Sequence, residues 1–549
     1  MPRNVSEVLV QQLGDWGVRH VFGVMGETIL GLLNAIRRQD RVRFLATRHE
    51  GAAALAASAY GKLTGEPAAC IAMGGPGATN LTTGLYDAQA DRAALVAITG
   101  QVRRPWRHEG AWQEMDAQAL FEPVSVFNAE VQTPAQAPLL LADALHAAVS
   151  RRGVAHLAVP LDIQQMEADV DPIRPEGHLS WSEVVASDEA IRRAARLLAG
   201  ASRPLILAGW GAQGAREPLL HLAHRLGAPV LTTCRAKGLA AGDPLAMGIP
   251  GYFGTPLGDE LVREADTILV VGASLSQNTT GNWQLIHPQQ QLIQIDIDPA
   301  QIGRLFAVEV GLWGDAAATV RRIVSALAEG QPHTSWGDLG RRRAEFEARV
   351  DRKAAAETTP IKPQFVVRTL QETLSADAVI ALDAGDHAYF VCQQYAPKGE
   401  RFVMSYHLGS TGFGLPGAIA AAVAYPRRQA VAVVGDGGLA STLGELVTLA
   451  EHELPVTVVC FNNARLGMLN SQEERLGLTP FFTELLQVDL SGVARASGVA
   501  ATRVEAPGAL AGALKEALEA PRPFLVDVAV DPEERESTAL EPLGAAVPA

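Results

Sequence analysis

VAVVGDGGLASTLGELVTLAEHELPVTVVCFNN, residues 431–463, is the stretch on which the fold turns. An apolar run ends at Gly435-Asp436-Gly437-Gly438, a helical stretch follows, and a second apolar run ends at Asn462-Asn463. Strand, helix and strand in this order form a crossover unit whose two strands lie parallel. In open α/β sheets ligands bind beyond the carboxyl ends of strands, so chemistry is sought at Asp436 and Asn463. The glycines let a ligand approach the backbone and leave amides near a helix start to meet phosphate oxygens. A carboxylate and an amide oxygen at neighbouring strand ends are hard ligands that suit Mg²⁺ bridging a diphosphate.

The same alternation repeats outward. AACIAM (68–73), ALVAITG (94–100), PLILAGWG (204–211), TILVVGAS (267–274) and AVIALDAG (378–385) read as buried strands separated by helical stretches. Such a pattern gives parallel sheets. One boundary falls in the polar stretch VDPIRPEGHLSWSEVV (170–185). Another follows the charged helical stretch that Pro360 and Pro363 interrupt. The chain therefore reads as α/β with three open parallel-sheet domains, 1–172, 185–330 and 358–532, each of ordinary size. The tail beyond about 531 reads as a loosely held terminus.

With 549 residues, 48% hydrophobic and 19% charged, the chain is an ordinary globular sequence too long for one core. A net charge of −14 argues against nucleic acid as the main partner, which needs a concentrated cationic surface. Cys70, Cys234, Cys392 and Cys460 lie far apart in no ligand spacing and read as buried inert thiols. The N-terminus has no signal-peptide core, and the richest apolar run, GFGLPGAIAAAVAY, is too short to span a bilayer. A cytoplasmic protein with no membrane partner is expected.

Gly-Asp-Gly followed at this spacing by Asn-Asn resembles the diphosphate-binding motif of the thiamine-diphosphate enzymes. A second, independent stretch, TRHEGAAALAASAYGKLTGEPAACIAMGGPGATN (47–80), resembles the pyrimidine-binding domain of the same family. The resemblance implies that Asp436, the Asn463 side chain and the Arg465 carbonyl hold the metal, with Gly435, Gly437 and Gly438 at the diphosphate. It also implies that Glu50 acts on the cofactor's aminopyrimidine, with Asn80 close by. A carboxyl group bonded to the pyrimidine ring stabilises the imino tautomer that removes the thiazolium C2 proton, giving an ylide that attacks a keto acid and an enamine after CO₂ is lost. In the family the two halves of the site come from two chains, so a homodimer is implied, and a homotetramer is common.

AGDHAYF (384–390) resembles a diphosphate-contacting loop of acetolactate synthases, placing Gly385 and His387 near the cofactor. Asp386 stands where that loop has Gln, and an anion there is tolerated only if its side chain turns away. HLGSTGFGLPGAIAA (407–421) resembles the segment that receives the aminopyrimidine, with the Gly409 carbonyl accepting from it and Thr411 where a bulky residue usually supports the bent cofactor. WQEMD (112–116) and NNARLGMLNSQEE (462–474) resemble the acetolactate synthase and pyruvate oxidase branch. They assign Trp112, Gln113, Leu469 and Gln472 to the substrate pocket, Gln113 also to catalysis, and Met468 to the cofactor. The central block, with AGWGAQG (208–214) and IQIDIDPAQIG (293–303), resembles a domain that in relatives holds FAD, another nucleotide or nothing.

The expected activity is that of a thiamine-diphosphate- and Mg²⁺-dependent carboligase or lyase acting on pyruvate or a related small 2-keto acid, like acetolactate synthase. Three alternatives stand beside it: an FAD-dependent pyruvate oxidase, a decarboxylase or lyase of larger acyl substrates, and a catalytically silent structural subunit. Arg103, Arg104 and Arg107 around Trp106 could meet an anionic substrate, but a solvated loop is the plainer reading.

Overall fold

A computed structural model describes residues 3–179, 182–328, 334–355 and 357–535. Part of the expected linker (180–181), the end of the central block at 330 and the tail from 536 onward lie outside the described residues.

The apolar runs form three sheets. The first contains β1 (His20–Gly23), β2 (Arg43–Ala46), β3 (Ala68–Ala72), β4 (Leu95–Gln101), β5 (Ser125–Glu130) and β6 (Val154–Pro160), in the order β2-β1-β3-β4-β6-β5. The second contains β7 (Pro204–Ala208), β8 (Val230–Thr232), β9 (Thr267–Val271), β10 (Gln291–Asp296) and β11 (Val310–Trp313), in the order β11-β10-β9-β7-β8. The third contains β12 (Val379–Leu382), β13 (Arg401–Met404), β14 (Ala430–Gly435), β15 (Val456–Asn462), β16 (Ala500–Val504) and β17 (Phe524–Ala529), in the order β13-β12-β14-β15-β17-β16. Their strands pair in parallel throughout. The first and third sheets share one topology, a kinship that the sequence does not display as a repeat.

Six helices of the first and third domains position the candidate site: α1 (Glu50–Thr64), α2 (Asp386–Gln394), α3 (Gly414–Ala424), α4 (Asp436–Ser441), α5 (Glu445–Glu451) and α6 (Gly467–Arg475). Helices α1 and α3 are rich in alanine because they share one buried cluster, in which Ala53, Ala56 and Ala57 join Ala418, Ala421 and Phe413. Small side chains let two helices approach closely, so the core of the first domain runs into that of the third.

A charge cluster ties all three domains. Lys62 on α1 pairs with Asp87 at 2.6 Å and Asp91 at 2.7 Å, all buried. Asp91 also meets Arg235 of the central domain at 3.4 Å and accepts from Tyr406 N (3.1 Å) and His407 Nδ1 (2.8 Å) of the third. These cations hold the Asp91 carboxyl well below its usual range despite burial, which alone would raise it.

The cysteines are free and buried, as expected. Two of them, distant in sequence, meet in space: Cys234 and Cys392 hydrogen-bond to each other between the central and third domains. The tail differs from expectation at its start. Asp531 and Glu534 both pair with Lys362, and Arg535 donates to Asn470 Oδ1, so residues 531–535 are fastened to the third domain.

Candidate active site

The third domain builds its half of the site at the carboxyl ends of β12, β14 and β15, where the strand order reverses and ligands of open α/β sheets bind. Asp436 opens α4 directly after β14. The backbone amides of Gly437 and of Ala464, one residue past Asn463, act on its carboxylate and favour its charged form against burial. The two ends of the motif are thereby brought side by side, with β14 and β15 paired in parallel. Ala464 holds a left-handed conformation (φ 52°), rare for a residue with a side chain, to make that turn. Its carbonyl accepts from Leu485 N at 2.7 Å, and Leu466 N donates to Thr483 O at 2.8 Å, which fixes the turn on both sides. Burial lifts the Asp436 carboxyl to about 6, the cost of an anion held where a cation would offset it.

Asn463 Oδ1 accepts from Arg465 N at 3.1 Å. The Arg465 guanidinium reaches outward to Glu484 (2.7 Å) and Glu533 (2.8 Å), so only its backbone faces the turn. Gly438 gives α4 room against Asp383: a Cβ there would lie 2.6 Å from Asp383 Oδ2. Sequence reasoning passed over Asp383, which organises this end of the sheet. Its Oδ1 accepts from Gly412 N (2.8 Å) and Phe413 N (3.2 Å), holding the 409–413 loop against β12. The signal was present, since AVIALDAG is a strand running into an acid at a ligand-bearing end.

His387 is buried, 2% exposed, and burial lowers it to about 4, so it is neutral. Its ring donates to the Asp383 carbonyl and its Nε2 has no partner among the described residues. With the proton on the other nitrogen, Nε2 is an acceptor. It is therefore open to a hydrogen-bond donor such as a water or an amine.

The first domain builds the other half. Glu50 is the first residue of α1, whose cap is His49, its Nδ1 accepting from Gly51 N at 3.0 Å. The Glu50 carboxylate is 9% exposed and accepts from Asn80 Nδ2 at 2.9 Å, and a Cβ on Gly77 would stand 3.2 Å from its other oxygen. The loop that delivers Glu50 is fastened from the third domain: Glu445 on α5 accepts from Arg48 N and His49 N, each at 3.1 Å. Glu445 was also missed, because an acid in a helical stretch reads as surface charge. Gln113, at φ 64°, lies over Gly75, where an added Cβ would sit 2.9 Å from its own Cβ. Trp112 beside it is 81% exposed. Glu50, Asn80 and the Gly75–Gly77 turn thus gather with Gln113 at one sheet's end, while Asp436, Asn463 and His387 gather at another's.

Comparison with known proteins agrees domain by domain. Residues 3–120 match the N-terminal TPP binding domain of thiamine pyrophosphate enzymes, 191–323 the central domain and 383–528 the C-terminal TPP binding domain. The chain is 34% identical over 531 residues to YdaP of Bacillus subtilis, described as thiamine pyrophosphate-containing, covering 96% of this chain and 92% of that protein. The chain belongs to the thiamine pyrophosphate enzymes. Within them it stands in the acetolactate synthase branch: it is 32% identical to the Escherichia coli acetolactate synthase isozyme 2 large subunit, covering 96% of each chain, and 29% to the isozyme 1 large subunit.

Gly409 is left-handed (φ 69°) in the exposed loop that Asp383 anchors, and Thr411 is exposed there too. Met468 is half-buried against the hydrophobic cluster of the central domain that also holds Tyr389. Leu469 is partly exposed, and Gln472 Nε2 donates to Tyr252 Oη at 3.0 Å. Of the arginines around Trp106, Arg104 pairs with Asp162 at 2.9 Å, Arg107 with Glu130 at 2.5 Å, and Arg103 lies over the Trp106 ring. Among the described residues no helix is long and apolar enough to cross a membrane.

Proposed function

We propose that this enzyme is a thiamine-diphosphate- and Mg²⁺-dependent carboligase or lyase of pyruvate or related small 2-keto acids, acting in the acetolactate synthase manner. The observation that carries this reading is the convergence of Asp436 and the Asn463 turn at the adjoining carboxyl ends of β14 and β15, with the Ala464 amide acting on the Asp436 carboxylate. The residues fit the cofactor: two hard oxygen donors, a buried carboxyl that burial has raised, and glycines that leave α4 open to a diphosphate. Asp436, Asn463 and the Arg465 carbonyl would hold the metal, with Gly435, Gly437 and Gly438 against the diphosphate. When bound, thiamine diphosphate supplies a nucleophilic carbon and an electron sink for decarboxylation.

The chain's own residues do the rest. Glu50, oriented by Asn80, would exchange a proton with the aminopyrimidine, and the Gly409 carbonyl would accept from its amino group. Gln113 and Gln472 present amides toward the substrate. As the family resemblance implies, the proposal includes a homodimer in which each site draws on two chains, and a tetramer built from two such dimers. A cytoplasmic location belongs to the same reading.

The glycines of the central domain add no support for flavin. A Cβ on Gly211 would lie 2.9 Å from Gly272 Cα, and one on Gly209 2.2 Å from Gly272 O, so these glycines serve packing between β7 and β9. Asp296 Oδ1 accepts from Asp298 N, and Asp298 pairs with Arg92 of the first domain, which are strand-end duties.

The test is incubation with pyruvate, thiamine diphosphate and Mg²⁺. CO₂ release with 2-acetolactate formation is the expected result. Neither CO₂ nor a ligated product, across pyruvate and a panel of larger keto acids, overturns the proposal.

A further inference from the structure

Asp386 stands where the family resemblance places a diphosphate, a point at which a negative charge is costly, and its carboxylate is turned to protein partners. It is the first residue of α2, and its Oδ1 accepts from His387 N at 2.9 Å. Its Oδ2 points across the sheet to Asn463, whose Nδ2 lies 3.4 Å away. The same oxygen is seated on the first residue of α6: a Cβ on Gly467 would lie 2.0 Å from Asp386 Oδ2 and 3.2 Å from Asn463 Nδ2. Only glycine permits this seat. The positive end of a nine-residue helix adds a further electrostatic reason for the carboxylate to lie there.

An asparagine side chain has one donor end and one acceptor end. A carboxylate facing Nδ2 accepts only from that end and repels Oδ1, so it fixes which way round the amide stands. We propose that Asp386 is a positioning residue for the divalent cation. By holding Asn463 Nδ2, while Oδ1 accepts from Arg465 N, it keeps Asn463 Oδ1 as the end that would be left for a cation shared with Asp436, and Gly467 admits it. The inference rests on the metal-dependent reading above and deepens it. It also accounts for Asp in place of the expected Gln, since this side chain serves the metal ligand and is turned away from the diphosphate. Partners of this outer kind commonly govern metal affinity by about 10–100-fold.

The test is a titration with Mn²⁺ followed by electron paramagnetic resonance of the free ion, at fixed thiamine diphosphate. It is run on wild type, Asp386→Ala, Asp386→Asn, Gly467→Ala and the double variant Asp386→Ala/Gly467→Ala, each first verified as folded by its thermal transition. Asp386→Ala is expected to weaken Mn²⁺ by about 10-fold or more. Asp386→Asn, whose amide oxygen can still face Nδ2, is expected to recover part of that loss. Gly467→Ala is expected to weaken Mn²⁺ to a similar degree alone but to add nothing to Asp386→Ala, because the added methyl acts only by unseating the carboxylate. Mn²⁺ affinity within 2-fold of wild type in Asp386→Ala, or additive losses in the double variant, overturns the assignment. Failure of wild type itself to bind Mn²⁺ with thiamine diphosphate would instead overturn the metal-dependent reading, so the two failures are told apart.

Discussion

The first and third domains have the same strand order and carry opposite halves of the candidate site at equivalent crossovers. After the third strand of each sheet comes a glycine turn and a short helix: Gly74–Gly77 after β3, and Gly435–Gly438 after β14. After the second strand comes an alanine-rich helix: α1 behind Glu50, and α3 behind the Gly409 loop. The chemistry differs at each place. In the first domain the working group is one carboxylate at a helix start, held by a side chain, Asn80, and by the cap of a long helix. In the third it is a set of backbone turns, where Asp436 is held by amides and Asn463 by a left-handed neighbour. A fold supplies positions, and residue choice at those positions decides whether a domain offers a proton or a cation site.

If that division holds, changes in the two halves must separate in their effects. The largest effect belongs to Glu50→Gln, expected to lower kcat by about 100-fold or more while leaving cofactor affinity within several-fold, as measured by steady-state rates and calorimetric titration. A variant that loses cofactor and rate together would erase the distinction between the halves. Asp436→Ala is the mirror experiment. Loss of Mg²⁺-dependent thiamine diphosphate binding by about 10-fold or more is expected, with activity partly regained at high Mg²⁺ and cofactor.

The third contrast is one of pH. His387 titrates at about 4 when folded against an ordinary value near 6.5, so the unfolded chain binds more protons between those limits. Stability from this residue is present above about pH 6.5 and is lost as pH falls toward 4, amounting to about 2 kcal/mol at pH 5. Denaturant unfolding of His387→Gln and wild type at pH 7 and pH 5 should show the smaller fall in the variant; equal falls would remove His387 from the account. The smallest effect is at Ala464. Glycine accepts its left-handed backbone without strain, so Ala464→Gly is expected to raise stability by up to about 1 kcal/mol, read from the denaturation midpoint. A drop in stability would show that the turn is not strained.

The sheets were legible because buried parallel strands are short, apolar and end in Gly, Asp or Asn. Asp436, Asn463 and Glu50 were legible for the same reason, lying at ends where the pattern breaks. What the sequence hid was side-chain direction and long-range partnership. Nothing in LGELVTLAE marks Glu445 as the acceptor for two amides nearly 400 positions upstream, and nothing in AGDHAYF tells that Asp386 reaches Asn463. The matching topology of the first and third domains was hidden too, because strand order is set by pairing across the sheet and not by local pattern. Gly467 read as part of a helix start until the carboxylate above it explained why no larger residue would fit.

The charge cluster around Asp91 has a consequence for how such chains can be assembled from parts. Its acids come from the first domain, one cation from the first and one from the second, and the loop it steadies from the third. Removing any contributor strands a buried ion, a penalty of about 3–5 kcal/mol. A chimaera that borrows one domain from a relative must therefore borrow a compatible charge at this junction, and lineages that shuffle these modules are held to exchange them as a matched set.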